Sequence, residues 1–391
     1  MTSRHHPPVS WTVAAFVGVF AVAQAPAALS QSQGVSPEAQ NVAALIKDLS
    51  LRESDAAARA RKEWRVPKKI VMIGGDPGTR RARDDFAKIL PGAEVVVVSD
   101  FNAAVAAVSN ADIIVGLTSY PGVCEREITQ AGKQLRYVMS MSAGVERCTA
   151  NPDVTGRNML VTNLRAVDSA TIGEHAVALA LGLARGFDRF VADTKQGQWR
   201  RENGARMQTL VGKTLLVVGL GGIGTEVASR AHALGMKVTA TRNSGRTGPD
   251  YVSYVGLPSE LLTLAKEADV IVNTAPLTTE TTGIFNEKFF ATMKPTAYFI
   301  NVARGGSVVT ADLQKALEQG KIAGAGLDVV EPEPLPPDHP LWKAPNLIIT
   351  PHVSSRADVQ GEGRWTLARE NLRRYVAGGK MLSEVDLKKE Y

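Results

Sequence analysis

The chain has 391 residues, 44% hydrophobic and 21% charged, a length that can bury two ordinary cores and the balance of a globular protein. Its net charge of +6 is spread thinly, and no basic stripe with interleaved aromatics occurs, so nucleic acid is not an expected partner. Its two cysteines, Cys124 and Cys148, match no metal or redox spacing and read as thiols, free to pair only in an oxidising compartment.

At the N-terminus, Arg4 precedes the apolar run "WTVAAFVGVFAVA" (11–23) and the small-residue stretch "QAPAALSQSQG". A cation, a short apolar run and small-x-small sites describe a signal peptide over residues 1–27. Cleavage is expected after Ala27 or Ala23, whereas Pro26 argues against Ala25. The run is too short for a stable membrane span. The expected destination is secreted or periplasmic, and cytoplasmic if the signal is not used.

Residues 28–66 read as a helical extension, with Ser36 as N-cap and Pro37 in the first turn. Short β-branched runs then alternate with helical stretches. "KKIVMIGG" (68–75), "AEVVVVS" (93–99), "ADIIVGL" (111–117), "LRYVMSMS" (135–142) and "MLVTN" (159–163) read as buried parallel strands. One long helix is expected over 169–199. A second series follows at 213–219, 237–241, 269–273, 297–301, 322–330 and 346–353, and a helix at 365–379 returns to the first unit. The expected fold class is α/β, two doubly wound parallel-sheet domains. Residues 67–168, completed by 353–391, form the first and 169–352 the second.

In the second unit, strand "TLLVVG" runs into "LGGIGTEVASRAHALG". Gly219, Gly221 and Gly224 have the G-x-G-x-x-G spacing after a strand and at the start of a helix. Such glycines allow a tight turn, close approach of a pyrophosphate and close helix–strand packing, as in a Rossmann cofactor domain. A tight structural turn is the plain alternative. About 20 residues on, where NAD sites keep an acid for the ribose 2′-hydroxyl, stand Arg242, Asn243, Ser244 and Arg246. A guanidinium there suits a 2′-phosphate, so NADP(H) is favoured, with NAD(H) as the alternative. We also assign Gly222, Ile223, Ala275, Pro276, Val302, Ala303 and Ser355 to the cofactor site.

Of six histidines, His5 and His6 lie in the signal, His175 and His232 in helices, and His339 in a Pro-rich loop. His352, in "ITPHVSS", alone follows a strand's C-terminal end, where ligand crevices of α/β sheets open. Other strand ends of the unit carry Arg304 ("FINVARGG") and Asp328, Glu331 and Glu333 ("LDVVEPEP"). An arginine can hold a substrate carboxylate, a histidine can pass a proton to a carbonyl oxygen, and a paired carboxylate can orient that histidine.

"VGLGGIG", "NVARGG", "GAGLDVVEPEPLP" and "TPHVSS", in this order, resemble the D-isomer-specific 2-hydroxyacid dehydrogenase family over about residues 68–391. The resemblance implies a flavodoxin-like substrate domain beside the Rossmann domain, catalytic Arg304 and His352, and Glu333 as their carboxylate with Glu331 as the alternative. It also implies Asp328, with His352, at the nicotinamide end of the cofactor, and substrate-binding amides at Ala143 and Gly144. No metal is implied. Glu174 and His175 match an interdomain helix and read as structure. Glutamate at 333 disfavours formate oxidation, and "PEPLPPDHPLW" with Arg242 suggests an NADPH-linked glyoxylate/hydroxypyruvate reductase working as a homodimer on a small 2-oxoacid. A dinucleotide-sensing binding protein and a phosphite dehydrogenase are the alternatives. Ser119 to Val123, Met141 and Trp365 are positional candidates for substrate specificity.

Overall fold

The computed structural model describes residues 37–49, 51–118, 121–357 and 360–391. The signal-peptide expectation, Ser119 and Tyr120 lie outside them. A first strand, β1 (Glu53–Ala57), precedes a five-stranded parallel sheet of β2 (Lys69–Ile73), β3 (Glu94–Val98), β4 (Ile113–Gly116), β5 (Tyr137–Ser140) and β6 (Leu160–Thr162), in the order β3-β2-β4-β5-β6. A seven-stranded parallel sheet follows, of β7 (Thr214–Val218), β8 (Lys237–Thr241), β9 (Tyr254–Gly256), β10 (Val270–Asn273), β11 (Tyr298–Asn301), β12 (Gly324–Leu327) and β13 (Leu347–Ile349). Its order is β13-β12-β11-β10-β7-β8-β9. The expected class, two doubly wound α/β domains, is the one observed.

Both sheets are covered on both faces, which is why their strands are continuous apolar runs. In the first unit, Phe86, Leu367, Leu372 and Tyr375 pack on one face with Ile70 and Met72. Ala104, Ile128 and Cys148 pack on the other with Val71 and Ile114. Leu367, Leu372 and Tyr375 belong to the helix Gln360–Val376, so the chain crosses back after the second sheet. In the second unit, Leu179 and Leu183 of the helix Ser169–Ala184 face Val217 and Ile300. Phe285, Phe289 and Phe290 cover the opposite face with Phe299.

Three elements differ from expectation. The helix expected over 169–199 breaks into Ser169–Ala184 and Phe187–Lys195, because Gly186 turns left-handed at φ +69°. Within the N-terminal extension, β1 forms from the polar "ESDAA" by antiparallel pairing with β14 (Lys380–Leu382), a partner more than 300 residues away. The short β9, which is not among the expected strands, extends the second sheet beyond β8.

Candidate active site

The glycine turn between β7 and the helix Gly222–Ala233 is built for close approach. A Cβ on Gly224 would lie 2.3 Å from the Gly219 carbonyl oxygen, and Gly219 itself holds φ +97° against the backbone of Ala275. Gly221 starts the helix with no side-chain cap. The amides of Gly222, Ile223 and Gly224 find no acceptor among the described residues, and a Cβ on Gly221 would meet nothing within 4 Å. Uncapped amides at the positive end of a 12-residue helix, facing open space, fit a pyrophosphate. Ala275 and the exposed Pro276 border this turn after β10, whereas Val302 and Ala303 after β11 are buried and offer backbone only.

Just past β8, Arg242 donates from Nε to Ser244 Oγ (2.8 Å) and from Nη1 to the Thr247 carbonyl (2.8 Å). No carboxylate pairs with it among the described residues, so its charge stays available beside the exposed Asn243 and Ser244. Arg246 is engaged by Glu260 (2.7 Å) and the Tyr254 hydroxyl (2.9 Å). Hydrogen bonds from Tyr254, Leu257 and Arg246 hold the Glu260 carboxyl at about 2, so this pair is ionised at any physiological pH.

The charged strand ends converge. His352 Nδ1 and Glu333 Oε2 lie 2.8 Å apart, and Glu333 Oε1 accepts the Val330 amide (3.0 Å). Burial would raise the Glu333 pKa, but the His352 bond and charge, the Val330 amide and the Arg304 charge together hold it below the usual carboxylate range. Glu331, the alternative, accepts among the described residues only a Thr310 hydroxyl, through its carbonyl. The Arg304 turn is fixed from beneath. Buried Asn301 donates to the Arg304 carbonyl (3.0 Å) and Ser307 Oγ reaches the same oxygen (2.7 Å), while Asn273 bridges Asn301 and Ser307. Gly305 lets this turn touch the loop carrying Glu333, since a Cβ there would lie 1.9 Å from the Val330 oxygen.

Asp328 directly follows β12. Its side chain is wholly buried and accepts from Thr350 Oγ1 (2.6 Å), the Val353 amide (2.9 Å) and the Ser354 amide (3.0 Å). Burial would raise its pKa, but these bonds keep it below the ordinary value. The carboxylate therefore stands behind the site and holds the loop that carries His352 and Ser355. His175 joins this support, 2.9 Å from Thr350 Oγ1, in keeping with a structural part.

From the first unit, the loop 141–146 faces Arg304. Its carbonyls are pinned: Asn163 Nδ2 donates to Ala143 O and Thr118 Oγ1 to Gly144 O, each at 2.7 Å. The amides of Ala143 and Gly144 donate to no described residue. A Cβ on Gly144 would fall 1.5 Å from Arg304 Nη2, so the guanidinium lies directly against this loop. Glu146 pairs with Arg304 Nε at 2.9 Å. Cys124 and Cys148 are joined in a buried disulfide. This corrects the reading of them as thiols, and it ties the loop before the helix Arg126–Ala131 to the turn after Glu146.

Sequence reasoning passed over Asn273, Asn301, Ser307, Thr350 and Glu146. An asparagine ending an apolar strand, as in "VIVN" and "YFIN", was the available signal for the first two. Nothing local marked the others.

Residues 177–354 match the NAD binding domain of the D-isomer specific 2-hydroxyacid dehydrogenases. Human glyoxylate reductase/hydroxypyruvate reductase is 34% identical over 271 residues, covering 68% of this chain and 81% of that one. The chain belongs to the D-isomer-specific 2-hydroxyacid dehydrogenase family. It is thus an NAD(P)-dependent oxidoreductase of 2-hydroxyacids, as the motifs implied. Another member, glyoxylate reductase of Thermofilum pendens, is 36% identical over 63% of this chain and 74% of its own. The chain is also 36% identical to the D-3-phosphoglycerate dehydrogenase of Archaeoglobus fulgidus, but spans only 43% of that protein's length. Among solved dehydrogenases of the family, an NADPH-dependent glyoxylate/hydroxypyruvate reductase from Sinorhizobium meliloti, in complex with NADP and sulfate, superposes with TM-score 0.69 at 27% identity. That match covers 83% of this chain and 99% of that one.

Proposed function

We propose that the protein is an NADPH-linked reductase of small 2-oxoacids of the glyoxylate/hydroxypyruvate type. The observation that carries this is the meeting, between the two units, of the His352–Glu333 pair with Arg304 and the unpaired amides of Ala143 and Gly144. The relatives named as glyoxylate reductases support the substrate class. Neither a purely binding role nor phosphite oxidation is favoured by them.

The first-turn amides of Gly222, Ile223 and Gly224 would hold the dinucleotide's pyrophosphate, and Arg242 with Ser244 its 2′-phosphate. When bound, the nicotinamide supplies hydride to the substrate or takes it back. Arg304 would grip the substrate carboxylate and, with the loop amides, polarise the adjacent carbonyl. His352 Nε2 would donate the proton to the forming alkoxide, while Glu333 on Nδ1 fixes the ring and supports its protonated state. Asp328 acts through the loop as a positioning residue. Closure of the cleft would exclude water.

The disulfide supports an exported form, since such bonds persist in oxidising compartments. Exposed Phe187, Val191 and Trp199 beside the interdomain helix support a homodimer. The reaction is tested by following NADPH oxidation with glyoxylate and hydroxypyruvate. No turnover with any small 2-oxoacid, alongside tight NADPH binding, would refute it.

A further inference from the structure

Arg304 already holds a carboxylate, and that carboxylate belongs to the chain itself. Glu146 Oε1 lies 2.9 Å from Arg304 Nε, and no hydrogen bond or other ion pair with a described residue is formed by its side-chain oxygens. Both residues are about 30% exposed, so the pair is open to solvent on one side. A Cβ on Gly144 would meet Arg304 Nη2 at 1.5 Å and Glu146 Oε2 at 2.7 Å. The Glu146 carboxylate therefore lies close to Nε and Nη2 of the guanidinium, over the bare surface of Gly144. This is the place between guanidinium and loop amides that suits a substrate carboxylate.

Nε and the Glu146 carboxylate form an ion pair at 2.9 Å without a hydrogen bond between them, so the contact is one of charge and proximity. On the other edge, Nη1 is drawn to its neighbour's carbonyl, Ala303 O, at 2.6 Å. A second carboxylate brought to the Nε–Nη2 side would meet the charge and volume of Glu146 there and has to displace it. Its backbone cannot drift: the Thr118 bond pins Gly144 O and the disulfide at Cys148 anchors the next turn. The side chain alone can swing away.

We propose that Glu146 is an internal counter-ion of Arg304 that the 2-oxoacid carboxylate displaces on binding, so that it sets substrate affinity from the far wall of the cleft. This rests on the assignment of Arg304 to the substrate carboxylate. Glu146 is a positioning and affinity-setting residue with no part in proton or hydride transfer.

The test is titration of oxamate, a 2-oxoacid analogue, into full-length enzyme premixed with NADPH, read by calorimetry. Partly exposed pairs of this kind hold weakly, so Glu146→Gln should bind oxamate about 1.5- to 5-fold tighter. Its KM for glyoxylate should fall by a similar factor with KM for NADPH unmoved, and Glu146→Asp, which keeps the charge, should stay nearer wild type. Unchanged or weaker oxamate binding in a Glu146→Gln protein of wild-type thermal midpoint overturns the proposal and leaves the reaction intact. Oxamate bound but no 2-oxoacid reduced contradicts the reaction, not the Glu146 comparison. Oxamate binding indifferent to Arg304→Ala overturns both.

Discussion

His352 sits at φ +53°, a left-handed conformation that costs a non-glycine residue on the order of 1–3 kcal/mol. The cost is met by Asp328, whose carboxylate and carbonyl together take the amides of residues 352, 353 and 354. Losing the ring removes general acid–base help, so His352→Ala should lower kcat for glyoxylate by about 10²–10⁴, with NADPH affinity retained. At the other end of the cofactor site, Arg242→Ala should raise KM for NADPH by roughly tenfold or more and leave that for NADH little changed, since only the former carries the 2′-phosphate. Asp328 also makes a pH prediction. Its folded-state pKa is depressed, so its contribution is complete above the unfolded-chain value of about 3.9. It is lost as pH falls through the lower folded value. Denaturant titrations at pH 3 and pH 6 should show a smaller acid-induced loss in Asp328→Asn, on a lower baseline.

At the scale of elements, two loops meet only because one residue lacks a side chain. Gly305 approaches Val330 so closely that a Cβ would sit 1.9 Å from a backbone oxygen, which no rotamer change relieves. Gly305→Ala should cost about 1–3 kcal/mol by overpacking. It should also lower kcat/KM by tenfold or more as Arg304 parts from Glu333. The Cys124–Cys148 bond closes a segment of 24 residues, and Cys148→Ser should lose about 3 kcal/mol in denaturant unfolding. Element type was legible wherever periodicity was strong: the β-branched runs of both sheets lie at the expected strands to within a few residues. Gly186 ended the long helix where a glycine signal existed but was outweighed by the apolar pattern around it. The strand at Glu53–Ala57 was illegible, because its sequence is polar and its partner lies at Lys380–Leu382.

Across the whole molecule, the two units are joined by polar ties. Glu390 accepts the Thr279 amide (2.8 Å), and Glu146 meets Arg304. Polar ties of this sort allow the relative motion that a closing cleft needs. Trp199 is 91% exposed, with Phe187 and Val191 more than half so. Much of the site could be read in advance. Arg304, Glu333, His352 and the glycine turn each sit at a strand's C-terminal end, where parallel sheets gather ligand-binding residues. What the chain dictated by itself was the alternation that builds two doubly wound sheets and the identity of the groups at their ends, since both follow from local pattern. The tertiary structure alone decided which groups face one another. It turned Arg246 to Glu260, buried Asp328 behind the histidine loop, joined two cysteines and set Glu146 on Arg304. Each of those outcomes depends on distances between segments remote in sequence, which no local pattern encodes.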